Sequence, residues 1–182
     1  AAVSDKRYRC GYINHNGEQV IPRQFDEPRP FKDGLAPVSI YSEFGYINKS
    51  GDAVIELKYD DAREFSEDRA FVGQRSKNYS VTWAVITRED SMLTDYEFDQ
   101  AKPYNEGAAV VRQGEKWYFI DKSGKKLFDK EFDLAGSFRN GLAWAQINHK
   151  NKWGFINHDG EFVIEIPKPE KVKDLRLNEE MK

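Results

Sequence analysis

Along this chain, aromatic and β-branched residues alternate with small or polar ones over stretches of about four positions, and no stretch of the repeated region carries helical spacing. The alternation in Gly11-Tyr12-Ile13 runs into Asn14, and its counterparts run into Asn48, Thr87, Asp121 and Asn157. Such a run, stopped by an Asx or Thr, predicts a strand entering a turn. Three residues further stands a glycine in four of five places, Gly17, Gly51, Gly124 and Gly160, while the third copy has Glu89-Asp90-Ser91 there. The expected turn is type I with the glycine left-handed, closing a hairpin with a bulge. A second strand leaves through Val20-Ile21, Val54-Ile55, Leu127-Phe128 or Val163-Ile164. Next comes an aromatic-Asp pair at Phe25-Asp26, Tyr59-Asp60, Phe98-Asp99 and Phe132-Asp133, with further aromatics at Phe31, Phe65, Tyr104 and Phe138. These later aromatics are expected to plug one unit against the next. A third strand follows around Ala36, Ala70, Ala109 and Ala143, where the recurring alanine implies close approach of backbones.

The whole phrase recurs. Its copies start at Cys10, Phe44, Trp83, Trp117 and Trp153, spacings of 34, 39, 34 and 36 residues, so the period drifts by whole loops. The fold class this predicts is all-β, built of tandem antiparallel three-stranded units in an open, β-solenoid-like or partly closed array. A five-bladed, propeller-like ring is the alternative. Ala1-Ala2-Val3 precedes Cys10 as Ala108-Ala109-Val110 precedes Trp117, so residues 1–9 are expected to supply a third strand. The array is expected to fill residues 1–167. Residues 168–182 form a charged, aromatic-free tail, expected to be disordered or a short helix using Val172, Leu175 and Met181, and Val172-Lys173-Asp174-Leu175 faintly echoes Phe31-Lys32-Asp33-Gly34.

Lys152-Trp153-Gly154-Phe155-Ile156-Asn157, Gly160, Val163-Ile164 and Gly141-Leu142-Ala143 resemble the WG (KWG) β-repeat found mostly in bacterial proteins, and the resemblance covers about residues 1–167. Cys10 and Phe44 replace the tryptophan of that pattern, and Ala84 and Tyr118 replace its glycine. The resemblance implies an all-β interaction module whose motif residues are structural, and it supplies no catalytic residue. The habits of similar repeat proteins, with a first residue other than Met, point toward the cell envelope or secretion.

Composition narrows the function classes. A net charge of −3 with 32% charged residues offers no basic stripe for nucleic acid. The longest apolar runs are a few residues, too short for a membrane helix, and no basic-then-apolar leader opens the sequence. Cys10 is the single cysteine, which rules out an intrachain disulfide; standing where other copies carry an aromatic, it reads as a small buried apolar thiol.

The residue types that carry chemistry do not converge. Asp26, Asp60, Asp99 and Asp133 repeat in matching places and invite a row of carboxylates facing cations or a basic partner, but an Asp after a strand commonly accepts backbone N–H groups. His15 and His158 fall at equivalent hairpin tips and, with His149, read as surface histidines. No calcium-loop, nucleophile-elbow or phosphate-loop pattern is present. The expectation is a chain with no catalytic residues, no metal site and no cofactor.

Side chains opposite the recurring alanine, Pro37, Phe71, Val110 and Trp144, either pack between layers or form an exposed apolar stripe, with Phe71 and Trp144 as its anchors. The insertion Gln74–Ser80 places Tyr79 in a polar loop of the kind that faces partners in repeat proteins. The functional expectation is a non-enzymatic protein-interaction or scaffold module using Phe71, Trp144 and Tyr79, with another protein as partner. A carbohydrate-binding or cell-envelope adhesion module, stacking Trp and Tyr on a glycan, is the alternative.

Overall fold

The structure, a computed structural model, describes residues 2–4, 9–147 and 152–166, so the expectations for the 168–182 tail and for His149 lie outside the described residues. The described residues contain no helix and form five small antiparallel sheets, none closed on itself. The first holds β1 (Ala2–Ser4), β2 (Cys10–Ile13) and β3 (Gln19–Phe25). The second holds β4 (Glu27–Pro28), β5 (Leu35–Ile40), β6 (Glu43–Asn48) and β7 (Ala53–Tyr59). The third is built of β8 (Asp61–Ala62), β9 (Ala70–Arg75) and β10 (Val81–Ile86). β11 (Gln100–Ala101), β12 (Ala108–Gln113) and β13 (Lys116–Asp121) make the fourth. The fifth holds β14 (Leu134–Ala135), β15 (Ala143–Ile147), β16 (Lys152–Ile156) and β17 (Phe162–Ile166). Every sheet is a meander that joins the third strand of one sequence repeat to the opening strands of the next, so sheets and sequence repeats are out of phase.

The regular outer strand follows the glycine of the Trp-Gly pair. A Cβ on Gly45 would lie 2.5 Å from the Ile55 carbonyl oxygen, and Gly11 and Gly154 face the carbonyls of Ile21 and Ile164 at still closer range. Without side chains there, β3, β7 and β17 run tightly alongside β2, β6 and β16, with register shifts. Where Ala84 and Tyr118 replace that glycine, the regular outer strand is missing, and only isolated bridges such as Trp83 to Phe98 and Trp117 to Phe132 remain. The units are therefore three- or four-stranded, not uniformly three-stranded.

The five turns form as the Asx pattern requires. Asn48 Oδ1 accepts from the backbone N–H of Ser50 and Asp52 at 2.9 and 3.0 Å, and Asn14, Thr87, Asp121 and Asn157 do the same in their copies. Gly51 sits at φ 90°, and in the glycine-free third copy Asp90 takes the left-handed place at φ 64°. The strain falls on a residue whose carboxylate is anchored by Lys58 and by the Tyr59 hydroxyl.

Between neighbouring sheets, the forward face of one packs on the rear face of the next. Residues directly opposite on neighbouring strands share a face. Leu35, Phe44, Tyr46 and Tyr59 on the forward face of the second sheet pack on Ala62, Phe65, Ala70, Val72, Ala84 and Ile86. Phe71, Trp83, Val85 and Phe98 of the third pack on Ala101, Tyr104, Ala109 and Val111. Val110, Trp117 and Phe119 of the fourth meet Ala135, Phe138, Ala143, Ala145 and Ile156. The recurring alanines lie on the rear faces, where they let a large aromatic approach from the preceding sheet. The plugs Phe31, Phe65 and Phe138 lie 4.8, 4.8 and 4.9 Å from Tyr12, Tyr46 and Phe119 of the preceding sheet.

Candidate functional site

Three sets of side chains latch sheet to sheet, and they define what the last sheet lacks. The first is cationic. Arg29, Arg63 and Lys102 occupy equivalent places and donate to the carbonyls of Ala62, Ala101 and Ala135 in the next sheet. Each also lies over an aromatic ring at the start of a repeat: Arg29 over Phe44 at 4.7 Å, Arg63 over Trp83 at 3.9 Å, Lys102 over Trp117 at 5.1 Å. Burial pulls the Arg63 guanidinium and the Lys102 ammonium below their ordinary pKa values.

The second and third latches come from two-residue β-turns at 33–34, 67–68, 106–107 and 140–141, whose central residues all have positive φ. The acid at the first position grips the next turn: Asp33 Oδ2 accepts from Glu67 N–H at 3.0 Å, Glu67 from Gly107 at 2.9 Å, Glu106 from Gly141 at 2.8 Å. The Gly141 N–H, with His158 nearby, holds the Glu106 carboxyl below its usual range. One residue earlier, Lys32 donates to Ser66 Oγ, Ser66 to the Tyr104 carbonyl, and Asn105 to the Phe138 carbonyl. Lys32, Ser66, Asn105 and Arg139, from four successive turns, line one cavity of about 280 Å³, so the turns converge at one place.

The fifth sheet breaks the pattern. Gly136 stands where Arg29, Arg63 and Lys102 stand, and Asn140 stands where the acids stand. A Cβ on Gly136 would collide with the Trp144 indole, which has moved into the space a cationic side chain fills elsewhere. The forward face of this sheet carries Trp144 opposite Phe155 opposite Ile164, with Trp153 one pair along. Trp144, Trp153 and Phe155 are 41, 39 and 36% exposed, whereas Trp117 and Phe119 at the places of Trp153 and Phe155 are buried. Beside Trp144 and Phe155 opens a groove of about 570 Å³, lined also by Lys102, Gly136, Ser137, Arg139, Asn140 and Leu142.

The three expected contact residues are not brought together. Phe71 is 2% exposed and stacks on Tyr104 at 5.8 Å, so its reading as a surface anchor is corrected: the following sheet covers it. Trp144 is open because no described sheet lies over it. Tyr79 is 83% exposed at the tip of the β9–β10 hairpin, in a turn held by Ser76, Asn78 and Ser80. The sequence does not mark Trp153, Phe155, Arg139 or Asn140 as contact residues, although Gly136 and Asn140 depart from their counterparts in the earlier copies.

The repeated aspartates engage groups of their own chain. Asp26, Asp60 and Asp99 accept from the backbone N–H of Tyr41, Arg75 and Gly114 at 2.6, 2.8 and 2.6 Å, closing the hairpin that follows each third strand. Asp133 instead takes Lys116. Among the described residues no group of three or more His, Cys, Asp or Glu side chains is placed to hold a metal ion. His15 is exposed as expected, but His158 is half-buried, stacked on Phe138 with ring centroids 3.9 Å apart. Cys10 is half-buried, its thiol 3.9 Å from the Asp26 carbonyl oxygen.

Stacked sheets with this repeated phrase define a β-repeat protein. The WG containing repeat matches residues 11–42, 44–77, 83–117, 119–152 and 153–166, and the chain belongs to that family. Among solved structures, one described as the eukaryotic initiation factor superposes with a TM-score of 0.56 at 10% identity, over 91% of this chain and 50% of that one. The chain thus spans about half the length of that relative, and the likeness supports a propeller-like arrangement of small sheets. A protein of unknown function from Bacteroides caccae (13% identity, 92% of this chain and 72% of that one) and the calcium-binding protein regucalcin from Agrobacterium tumefaciens (8%, 87% and 66%) each superpose with a TM-score of 0.40. No curated protein matches the chain significantly.

Proposed function

We propose that this chain is a non-enzymatic binding module that presents the forward face of its last sheet to another protein. The observation that carries the reading is the concentration of exposed Trp144, Trp153, Phe155 and Ile164 on one face whose counterparts in earlier sheets are packed against a following sheet. Contiguous aromatic surface of this kind is where binding energy concentrates in protein interfaces. The non-enzymatic part rests on the use of the repeated carboxylates: those of Asp26, Asp60 and Asp99 are spent on the chain's own backbone and that of Asp133 on Lys116. A second reading, a glycan stacked on the Trp144 ring, is favoured by the polar rim of Ser137 and Asn140 beside it.

The test is affinity capture of the tagged chain beside a Trp144→Ser/Phe155→Ser variant shown by circular dichroism to keep its fold. One protein enriched by the unaltered chain and lost with the variant is the expected result. Enrichment indifferent to the variant overturns this face as the contact, and a glycan-array signal that Trp144→Ser removes favours the second reading.

A further inference from the structure

We propose that the groove beside Trp144 takes an acidic, extended segment of the partner protein, carboxylates set against Arg139 and Lys102 and an apolar side chain set against Trp144 and Phe155. The inference rests on the reading of this face as a protein contact and adds the chemistry of what it holds. Its volume, about 570 Å³, is that of a ligand-sized cleft.

Charge is the first argument. The described residues lining the groove include two cations, Lys102 and Arg139, and no carboxylate, in a chain whose net charge is −3. The turn position that is Asp33, Glu67 and Glu106 in earlier units is Asn140 here, so the carboxylate that an incoming acid would meet in the other units is absent from this one.

Free donors are the second. Lys32, Ser66 and Asn105 each spend their side chain on the following unit. Arg139, the fourth of the series, has no side-chain hydrogen bond among the described residues, and its planar fork suits a carboxylate in two-point contact. Lys102 donates to the Ala135 carbonyl at 2.8 Å and lies 5.9 Å from the Trp144 ring, leaving other ammonium protons at the groove.

The third argument concerns what the groove is not shaped for. Another sheet of the same kind would need the cationic latch over the Trp153 ring and the acid that grips the next turn, and Gly136 and Asn140 remove both. In an extended peptide, alternate side chains point to opposite sides, so acidic and apolar residues in alternation meet cations and aromatics together.

The experiment measures fluorescence anisotropy of a labelled octapeptide of alternating Glu and Leu against the full chain, with Gln-Leu and Lys-Leu octapeptides as comparators, at low and high salt. The Glu-Leu peptide is expected to bind at least about tenfold tighter than the Gln-Leu peptide and to weaken with salt. Arg139→Glu and Asn140→Asp are each expected to cost about tenfold, while Arg23→Glu, exposed on β3, changes nothing. Failure of the Glu-Leu peptide to bind, or equal effects of Arg139→Glu and Arg23→Glu, overturns the inference. Equal binding of Glu-Leu and Gln-Leu peptides, lost with Trp144→Ser, overturns the charge selection while leaving the protein-contact reading in place. Displacement by oligogalacturonate at lower concentration than by peptide assigns the groove to an acidic glycan, and self-association abolished by Trp144→Ser assigns it to a second copy; either overturns the proposal.

Discussion

Gly45 shows how one atom sets the size of a sheet. The 2.5 Å approach that a Cβ there would make to the Ile55 carbonyl leaves no room for alanine without moving β7. Gly45→Ala is expected to lower stability by about 1–3 kcal/mol, read by urea denaturation. Ala84→Gly, in a unit with no regular outer strand, is expected to cost about 1–2 kcal/mol, from backbone entropy and one lost buried methyl, and to move no strand. Asp60 gives a second test at this scale: Asp60→Asn weakens the bond to the Arg75 N–H and is expected to cost about 1 kcal/mol. A cation-binding role would instead leave stability unchanged and abolish ion binding. The Asx turns were legible in the sequence because their geometry depends on residues within five positions. The fates of Cys10 and His158 were not, because both depend on neighbours distant in the chain, the Asp26 carbonyl and the Phe138 ring.

At the scale of elements, the latches between sheets explain why tryptophan opens so many repeats. Trp83 packs in the core and carries the Arg63 guanidinium on its face, and that cation reaches the next sheet. Arg63→Met keeps much of the stem's packing and removes a charged hydrogen bond, with an expected loss of about 2 kcal/mol in denaturant unfolding. The acid ladder predicts a pH dependence. Glu106 has its folded-state pKa depressed by the Gly141 N–H, so its latch contributes fully above the ordinary carboxylate value, ~4.3, and is lost as pH falls through the lowered folded value. Glu106→Gln is expected to flatten that part of the acid limb in urea midpoints measured across acidic pH, and an unchanged limb contradicts the ladder. The long strands and hairpins were readable from alternation. The two-residue strands β4, β8, β11 and β14 were not, since two residues carry no periodicity and their pairing is set by the third strand they lie beside.

For the whole molecule, the repeated rule is a forward face on a rear face, four times over. Sequence could read Phe71 and Trp144 only as one position with two fates. Phe71 is core and Trp144 is exposed because, among the described residues, a sheet lies over the one and none over the other, a difference of place in the array and not of residue type. The chain's four tryptophans report this directly, since Trp83 and Trp117 are buried and Trp144 and Trp153 lie on the open face. Acrylamide quenching of the full chain, compared with a Trp144→Phe/Trp153→Phe variant, is the measurement of choice. A readily quenched component that disappears in the variant is the predicted result, whereas indoles protected in the unaltered chain would contradict an open terminal face.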